Sequence, residues 1–569
     1  MSEPDEGSQA PPTDGTGPLI LGLAASHNGA ACLLHGDRIV AAVQEERLTR
    51  EKRAMLRPSE RSRAVEEVLR AAGVTAAELD LIVVCPLRTA ADPTCDPSRN
   101  PTLAGRPHAT VSHHRAHALS AFALSGFEEA AVIVADGMGS VAEDLDVREL
   151  EVVIGPRAGR ETASIYAACA EELRPVEKQL GTLPEPTPGR AIPSLMPFAS
   201  LGTMYQAVAH RAFGGWYDAG KVMGLAPYGE ARWPVEAFFT CEGPRLVFSE
   251  GIRRAFSPRR LWPAHRRDYE DLARSVQEAC EEGMLHLARR ARELTGHRRL
   301  CLAGGVALNG IANERIIRSG LFDEVFIIPA AEDSGTAIGA AVHGLWGLAG
   351  HRPLAPLRED ALGPEYAEEA MEAAIARRLP GSGATASRPA DLAAHAARRL
   401  AEGAAVGWFA GRSELGPRAL GHRSILFDPR RADGRDHLNA RVKHREAFRP
   451  YAPAVLASEA RAWFDLGPCS ESPFMLRVVP VHPERRATIP AVVHVDGSAR
   501  VQTVCEDGGP FHRVIEAFHR ETGVPMVLNT SFNVAGEPLV ETPEDALGCL
   551  LGTALDACAL GPWWVEKLS

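Results

Sequence analysis

Two histidines four residues apart, His113 and His117 in the run HHRAHA, form the first pair whose spacing could do chemistry. On a helix, positions i and i+4 share a face, as two ligands of one metal ion must. Alone, such a pair also fits a solvated or a core position. Two carboxylates add to it. Asp136 follows the apolar run Ala131 to Ala135 and opens Asp-Gly-Met-Gly, where a backbone can approach a ligand closely. Asp333 ends EVFIIPAAED just before SGTAIGAA. Two imidazoles and two carboxylates make a mixed nitrogen and oxygen set, suited to iron(II), zinc or manganese and unlike a structural cysteine site.

Three Gly-rich segments stand at the ends of apolar runs: SHNGAA, ADGMGS and LAGGVALNG. Backbone N–H groups at such turns can cradle phosphate or ribose where a side chain would block approach, although one such loop alone is usually a plain turn. A third feature lies further on. From Arg398 to Arg449 there are twelve Lys/Arg against six Asp/Glu, including GRSELGPRALGHRSIL and NARVKHREAFRPYAP. These charges are interleaved with Gly, Pro and aromatic residues and lack helical spacing. An anion pocket therefore fits better than a solvated helix face, since arginine forks suit carboxylate and phosphate. VHVDGSARVQTV and VLNTSFNVAGEPLV offer further arginine, hydroxyl and amide groups downstream.

These residues need elements to hold them. Pro18 to Gln44 holds three apolar runs broken by Ser26-His27-Asn28-Gly29 and Gly36-Asp37, which predicts three antiparallel strands. Helices are predicted over 59–72, 113–124 and 334–348, and strands over 81–85, 131–135, 300–303, 324–328, 405–409 and 526–528. Residues 181–200 carry five prolines and read as an irregular surface loop. The division expected is a disordered tail at 1–17, a first domain at 18–350, a linker at 351–365 and a second domain at 366–569, with no tandem repeat.

Composition sets outer limits. The 569 residues carry 62 basic and 73 acidic side chains, a net charge of −11, which argues against a nucleic-acid or membrane-surface partner. No run approaches eighteen apolar residues, so no membrane span is expected. Eleven cysteines without a CxxC pair read as reduced, mostly buried thiols of a cytoplasmic protein. The acidic start MSEPDEGSQAPPTDGTG has neither a basic region nor an apolar stretch, and reads as a tail and not a signal peptide.

Taken together, EERLTREK, HHRAHA, VADGMG, SLGTMY, GKVMGLAPYG, LAGGVALN, GPRALGHRSIL, VKHREAFRPYAP and LNTSFNVAGEPLV resemble the ATP-dependent O-carbamoyltransferase family that modifies antibiotics and Nod factors. The resemblance implies an α/β chain. Its N-terminal domain would be an actin-like ATPase, a duplicated RNase H-like unit similar to the transferase component of tRNA threonylcarbamoylation, and its C-terminal domain would be similar to YrdC. It implies carbamoyl phosphate and ATP as co-substrates, carbamoyl-adenylate as intermediate, and Fe(II) or another divalent metal, with Mg as a further candidate. Residue by residue, it implies His27 as the catalytic base and His113, His117, Asp136 and Asp333 as metal ligands. Carbamoyl phosphate would meet Arg418, Lys443, Arg449, Arg500, Thr530 and Ser531, with Lys52 from the other domain. The nucleotide would meet Lys221, Gly304, Gly305 and Asn309.

The family usually has His-Asp where this chain has His27-Asn28, which takes away a carboxylate expected to orient the base. The acceptor is expected to be a small-molecule natural product, bound by residues within 140–200 and 230–275. Its identity stays open, as does the oligomeric state, with a homodimer preferred. Two other readings are a tRNA-modifying enzyme of the related machinery and a non-catalytic actin-like nucleotide-binding protein.

Overall fold

The computed structural model describes residues 17–87, 89–182, 198–249, 252, 262–350 and 354–568. The tail up to residue 16, most of the proline-rich segment 181–200 and the first part of the predicted linker lie outside the described residues.

The N-terminal segment forms β1 (Leu19–Ala25), β2 (Ala30–His35) and β3 (Arg38–Gln44), antiparallel in sequence order as the turn pairs predict. Helix α1 (Arg63–Ala72) covers one face, and β4 (Leu81–Pro86) and β5 (His108–Thr110) then add in parallel. The strand order is β3-β2-β1-β4-β5.

The same pattern then recurs. Helix α2 (His113–Ser125) leads to β6 (Glu129–Ala135), which pairs antiparallel with β7 (Arg160–Cys169), and β7 pairs antiparallel with β8 (Leu173–Gly181). After helices α3 (Leu201–Phe213) and α4 (Arg266–Thr295), β9 (Arg299–Ala303) joins β6 in parallel and β10 (Glu324–Ile327) joins β9. The order β8-β7-β6-β9-β10, with Val153–Ile154 added at the β8 edge, repeats that of the first sheet. Helix α5 (Thr336–Ala349) closes this copy as α2 closes the first.

Helices α2 and α5 cross between the two sheets. A Cβ added at Gly339 would lie 1.8 Å from the Ala116 carbonyl oxygen, so only glycine allows the crossing. Burial on nearly every side explains why HHRAHALSAFALS shows no polar stripe.

The C-terminal part is a mixed eight-stranded sheet built from β11 (Ala384–Ser387), β12 (Val406–Phe409), β13 (Arg423–Phe427), β14 (Ala452–Leu456), β15 (Gln502–Val504), β16 (Met526–Ser531), β17 (Ala557–Leu560) and β18 (Trp563–Lys567). Its order is β11-β18-β17-β12-β13-β16-β14-β15. One hydrophobic cluster fills this part, from Met371 to Val565. The main cluster of the N-terminal part also takes in Leu415, Leu420, Phe448 and Phe474–Leu476, so the two parts share a packed seam. The chain is thus a mixed α/β protein. All eleven cysteines are free thiols, most of them buried, and among the described residues no helix is long and apolar enough to cross a membrane.

Candidate functional site

Four buried side chains meet where the duplicated halves face each other. Helix α2 brings His113 and His117, the turn after β6 brings Asp136, and the turn ahead of α5 brings Asp333. His113 Nε2 lies 3.2 Å from His117 Nε2, 3.4 Å from Asp136 Oδ2 and 3.6 Å from Asp333 Oδ1. One ligand atom from each lies within 4.8 Å of the others. Bonds of 2.0–2.1 Å in tetrahedral array span edges of about 3.4 Å, so these separations suit one divalent ion. The Oδ2 of Asp333 is buried without a hydrogen-bond partner. The site could therefore hold such a cation.

The electrostatics agree. Burial opposes the charge on Asp136, but the His113 hydrogen bond outweighs it and brings its carboxyl down to about 2. Asp333 likewise falls far below the carboxylate range, burial being outweighed by His27, His113 and His117. His117 is pushed down to about 3 by burial and then by His113, which keeps its imidazole neutral and able to donate a lone pair. His113 moves the other way: burial would lower it, but Cys85, Asp333 and Asp136 raise it. A proton shared there and a metal cation answer the same negative charge.

His27 stands at the rim of this cluster, its Nδ1 3.5 Å from Asp333 Oδ2. A carboxylate other than one at position 28, that of Asp333, thus faces the His27 ring. Asn28 turns elsewhere: its Nδ2 donates to Glu332 at 3.0 Å, and Glu332 also accepts from Gln44 at 3.0 Å and from the Ser334 N–H and hydroxyl at 2.6 Å. Burial pushes Glu332 up to about 7 despite these donors. Tyr217 stacks on the His27 ring at 4.8 Å, and the Arg53 guanidinium lies 4.0 Å from the Tyr217 ring centre.

Two cavities meet here. The first, of about 590 Å³, is lined by His27, Asp136, Asp333, Gly305, Asn309 and a wall of Met138, Trp216, Tyr217 and Met223. The second, of about 350 Å³, is lined by Lys52, Arg418, Arg445, Arg449, Arg500, Thr530 and Ser531. Asn28, Arg53, Leu308, Glu332, Pro417 and Arg418 line both, so the cavities share a wall. Gly305 donates its N–H to Asp136 Oδ1 at 3.0 Å, and Gly304 (φ +86°) passes so close to β6 that a Cβ would meet the Ala135 carbonyl oxygen at 2.3 Å. The Asn309 carbonyl oxygen of the side chain caps the next helix by accepting from Ile311 and Ala312, and its Nδ2 donates to Gln277.

The second cavity is strongly cationic. Burial and then Arg449 lower Arg418 to about 10, and burial, Arg418, Arg445 and Arg449 push Arg500 well down. The Nε atoms of Arg418 and Arg500 are buried without a hydrogen-bond partner. Guanidinium groups do not give up their protons, so these shifts mark buried and mutually repelling charges that an anion would offset.

Of the residues that the resemblance gives as donor or nucleotide contacts, Lys443, Lys221 and Gly304 line neither cavity. Lys443 is buried behind the second one, with its ammonium against Ser531 O (2.6 Å), Ser531 Oγ (3.0 Å), Asn533 O (2.9 Å) and Asn533 Oδ1 (2.7 Å). Lys221 pairs with Asp218 at 3.2 Å and with Glu446 at 2.8 Å, and Glu446 also faces Arg449 at 3.7 Å. Arg445 and Arg53, which line the cavities, escaped sequence reasoning. The chain turns at His444 (φ +45°), which leaves Arg445 and not Lys443 on the wall. Of the stretches 140–200 and 230–275, only Arg160 among the described residues lines the first cavity, and its aromatic wall comes from 216–217 instead.

The family model for the carbamoyltransferase N-terminus matches residues 19–96 and 94–342, and that for the carbamoyltransferase C-terminus matches 397–567. The chain belongs to the carbamoyltransferase family. This carbamoyltransferase is 36% identical over 588 residues to nodulation protein NolNO of Sinorhizobium fredii, covering 95% of the chain and 79% of the relative. It is 30% identical over 366 residues to the 3'-hydroxymethylcephem-O-carbamoyltransferase of Amycolatopsis lactamdurans, covering 62% and 65% respectively. Among solved structures, HypF of T. kodakarensis aligns with a TM-score of 0.38 and 16% identity over 59% of this chain and 48% of that one.

Proposed function

We propose that this carbamoyltransferase converts carbamoyl phosphate and ATP to carbamoyl-adenylate in the cationic cavity and transfers the carbamoyl group, at the His/Asp cluster, to a hydroxyl of a natural product. The observation that carries this reading is the shared wall: an anion-seeking cavity and a cation-seeking cluster adjoin through Arg418, Asn28 and Arg53. We read residues 18–350, with their twice-used strand order, as the actin-like ATPase-type domain, 351–365 as a linker and 366–569 as the YrdC-like domain. The cephem O-carbamoyltransferase relative supports a small-molecule hydroxyl as acceptor.

Atom balance sets the sequence of bonds. Carbamoyl phosphate loses its phosphoryl group to water, giving carbamate and phosphate. A carbamate oxygen then attacks the α-phosphorus of ATP, and pyrophosphate leaves. Arg418, Arg449 and Arg500, with Lys52, offset the charge that these anions bring together, and Thr530 and Ser531 supply donors beside them. Lys443 holds the turn that carries Ser531, and Lys221 steadies Arg449 through Glu446. In the transfer step the acceptor oxygen attacks the carbamoyl carbon, the bond to AMP breaks, and His27 takes the hydroxyl proton while Asp333 faces its Nδ1. His113, His117, Asp136 and Asp333 would hold Fe(II) or another divalent ion, which when bound supplies Lewis acidity toward the carbamoyl oxygen. Gly305 and Asn309 line the nucleotide side of that cavity, and Gly304 lets the turn pack close against β6.

The described wall also favours a class of acceptor. Its carboxylates are Asp136, Asp333 and Glu332, all committed to the cluster or to neighbouring donors, whereas Met138, Trp216, Tyr217 and Met223 offer apolar surface. Such a wall, which also carries Arg53, Arg160 and Arg418, suits a partly apolar acceptor without ammonium groups, which would find no free counter-charge. The test is incubation with carbamoyl phosphate, ATP and a panel of hydroxylated natural products, followed by mass spectrometry. One added carbamoyl group, dependent on both co-substrates, is expected; pyrophosphate release that ignores carbamoyl phosphate would refute the reading.

A further inference from the structure

Behind the His/Asp cluster, on the side away from the cavity, lies a second group of charges that the chemistry above does not use. Glu161 on β7, Lys178 on β8 and Glu149 on the short helix Val147–Glu151 are all fully buried. The Lys178 ammonium donates to Glu161 Oε1, faces Glu149 Oε1 at 3.0 Å, and reaches Ser164 Oγ at 3.2 Å and Tyr166 OH at 2.9 Å. One ammonium thus serves two carboxylates in a region without water-facing surface. Burying such a group is a poor route to stability in itself.

That geometry converges on the start of α2. The first N–H groups of a helix have no acceptor within it, and Ser112, the residue at the N-cap, makes no side-chain cap. The missing acceptors come from far along the chain. Glu161 Oε2 accepts from the His114 N–H at 3.1 Å, and Ser140 Oγ accepts from the His113 N–H at 2.9 Å. The same Glu161 Oε2 also accepts from the Ser140 N–H at 3.1 Å. Backbone bonds reinforce it: Gly139 N–H donates to Glu161 O at 2.7 Å, and Glu161 N–H donates to Ser140 O at 3.0 Å. There is no slack, since a Cβ at Gly139 would lie 2.8 Å from the His114 ring and 2.9 Å from Glu161 Oε2.

We propose that Glu161 is a positioning residue for the cluster: one carboxylate oxygen fastens the start of α2, which carries His113 and His117, to the turn that carries Asp136. The inference rests on the reading of the cluster as a divalent-metal site. A carboxylate suits the task because one oxygen can accept two N–H bonds while its partner oxygen is held by Lys178, and because negative charge is favourable at a helix N-terminus. Glutamine in its place would keep an acceptor for the two N–H groups but turn an NH₂ toward the Lys178 ammonium. Partners that orient metal ligands are typically worth about 10- to 100-fold in affinity.

The experiment compares the whole wild-type chain with Glu161→Gln and with the milder Ser140→Ala, which removes only the acceptor for the His113 N–H. Each is titrated with Co²⁺ against a competing chelator, and the visible spectrum of the Co²⁺ form is recorded. Carbamoyl-phosphate-dependent pyrophosphate release, which belongs to the other cavity, reports that the chain is folded. Glu161→Gln should weaken Co²⁺ binding about 10- to 100-fold and shift the spectrum, Ser140→Ala should do so by about threefold or more, and both should keep pyrophosphate release near wild type. Affinity and spectrum unchanged in a folded Glu161→Gln would overturn the proposal. If that variant fails to fold, unchanged binding by Ser140→Ala overturns it. A wild-type chain that binds no divalent ion would overturn the metal reading and this inference with it, whereas loss of pyrophosphate release in the wild type would strike only the carbamoyl-adenylate reading.

Discussion

Replacing Lys443 with methionine separates two ways in which a buried ammonium can serve an anion site: by touching the anion, or by holding what touches it. The four oxygens around Lys443 Nζ all belong to Ser531 and Asn533, at 2.6 to 3.0 Å. Burial and then Arg445, Arg449 and Lys52 push this lysine well below its ordinary range, with Cys549 opposing them. Methionine keeps the length of the side chain and removes every donor. Ser531 Oγ still donates to Asn533 Oδ1 at 2.7 Å, so the groups left without partners are chiefly the carbonyls of Ser531 and Asn533. Two orphaned carbonyls at about 1–3 kcal/mol each amount to roughly 2–6 kcal/mol if the turn stays in place. The turn can instead shift toward water, trading stability for misplacement of Thr530 and Ser531. Losing one charge-assisted contact to the donor phosphate, about 1.5–3 kcal/mol, corresponds to about a 10- to 100-fold rise in KM for carbamoyl phosphate.

The assay is pyrophosphate release as a function of carbamoyl phosphate for Lys443→Met, Asn533→Ala and the double variant, with thermal unfolding of each. If Lys443 works through the turn, the two changes remove the same arrangement and combine far less than additively, with a coupling of about 1 kcal/mol or more. Effects that add within about 0.5 kcal/mol, with unfolding unchanged by Lys443→Met, would mean that Lys443 meets the donor itself.

His27→Ala should lower carbamoyl transfer by about 10²- to 10⁴-fold while leaving carbamoyl-adenylate formation intact; transfer at the wild-type rate would remove His27 from the base role. A second expectation concerns pH and stability. Asp360 is buried, accepts the Gly416 N–H at 2.8 Å, and is pushed up to about 8 by burial. Its unfolded value is near 3.9, so between about pH 4 and 8 the folded chain holds a proton that the unfolded chain lacks. Stability from this group is full below that window and is lost as pH rises through about 8, at about 1.4 kcal/mol per pH unit. Asp360→Asn keeps an acceptor for Gly416 and removes the titration, so its melting temperature should fall less between pH 5 and 8 than that of the wild type; parallel curves would show that Asp360 does not titrate in this way.

What the residue pattern made legible was local. The i, i+4 histidines needed only a helix, and the turn pairs at 26–29 and 36–37 were enough to give three antiparallel strands. Asp136 and Asp333 could be singled out because each ends an apolar run. What stayed hidden depends on the path of the chain between such points. The doubled strand order leaves no sequence repeat, because it is a repeat of pairing, and its second copy is interrupted by the long stretch between β8 and β9 that holds α3 and α4. The count of basic residues from 398 to 449 marked the anion cavity but could not sort its members. That sorting is done by the left-handed turn at His444, which sends Lys443 inward, and by Arg53, itself left-handed (φ +61°), which ties the Tyr217 ring to the rim of both cavities.

The placement of charge gives the two adjoining cavities opposite characters. The chain is acidic overall, yet Lys52, Arg418, Arg445, Arg449 and Arg500 gather on one wall, where Glu46 and Glu446 are the nearby counter-charges that bear on Lys52 and Arg449. Across the shared wall, Asp136 and Asp333 stand with the buried carboxylates of Glu149 and Glu161 behind them. If the cations could reach the cluster directly, they would pair with Asp136 and Asp333 and spoil both sites. The wall between them is mixed: Arg53 and Arg418 line both cavities beside Asn28, Leu308 and Pro417, yet the ion pairs of Asp136 and Asp333 among the described residues are with His113 and His27, and Glu332 is occupied by Asn28, Gln44 and Ser334. An aspartate at position 28 would add a third carboxylate beside Asp333 and Glu332, against a Glu332 that burial already pushes up to about 7. Asparagine at this position thus acts as an insulator, donating to Glu332 while adding no charge of its own.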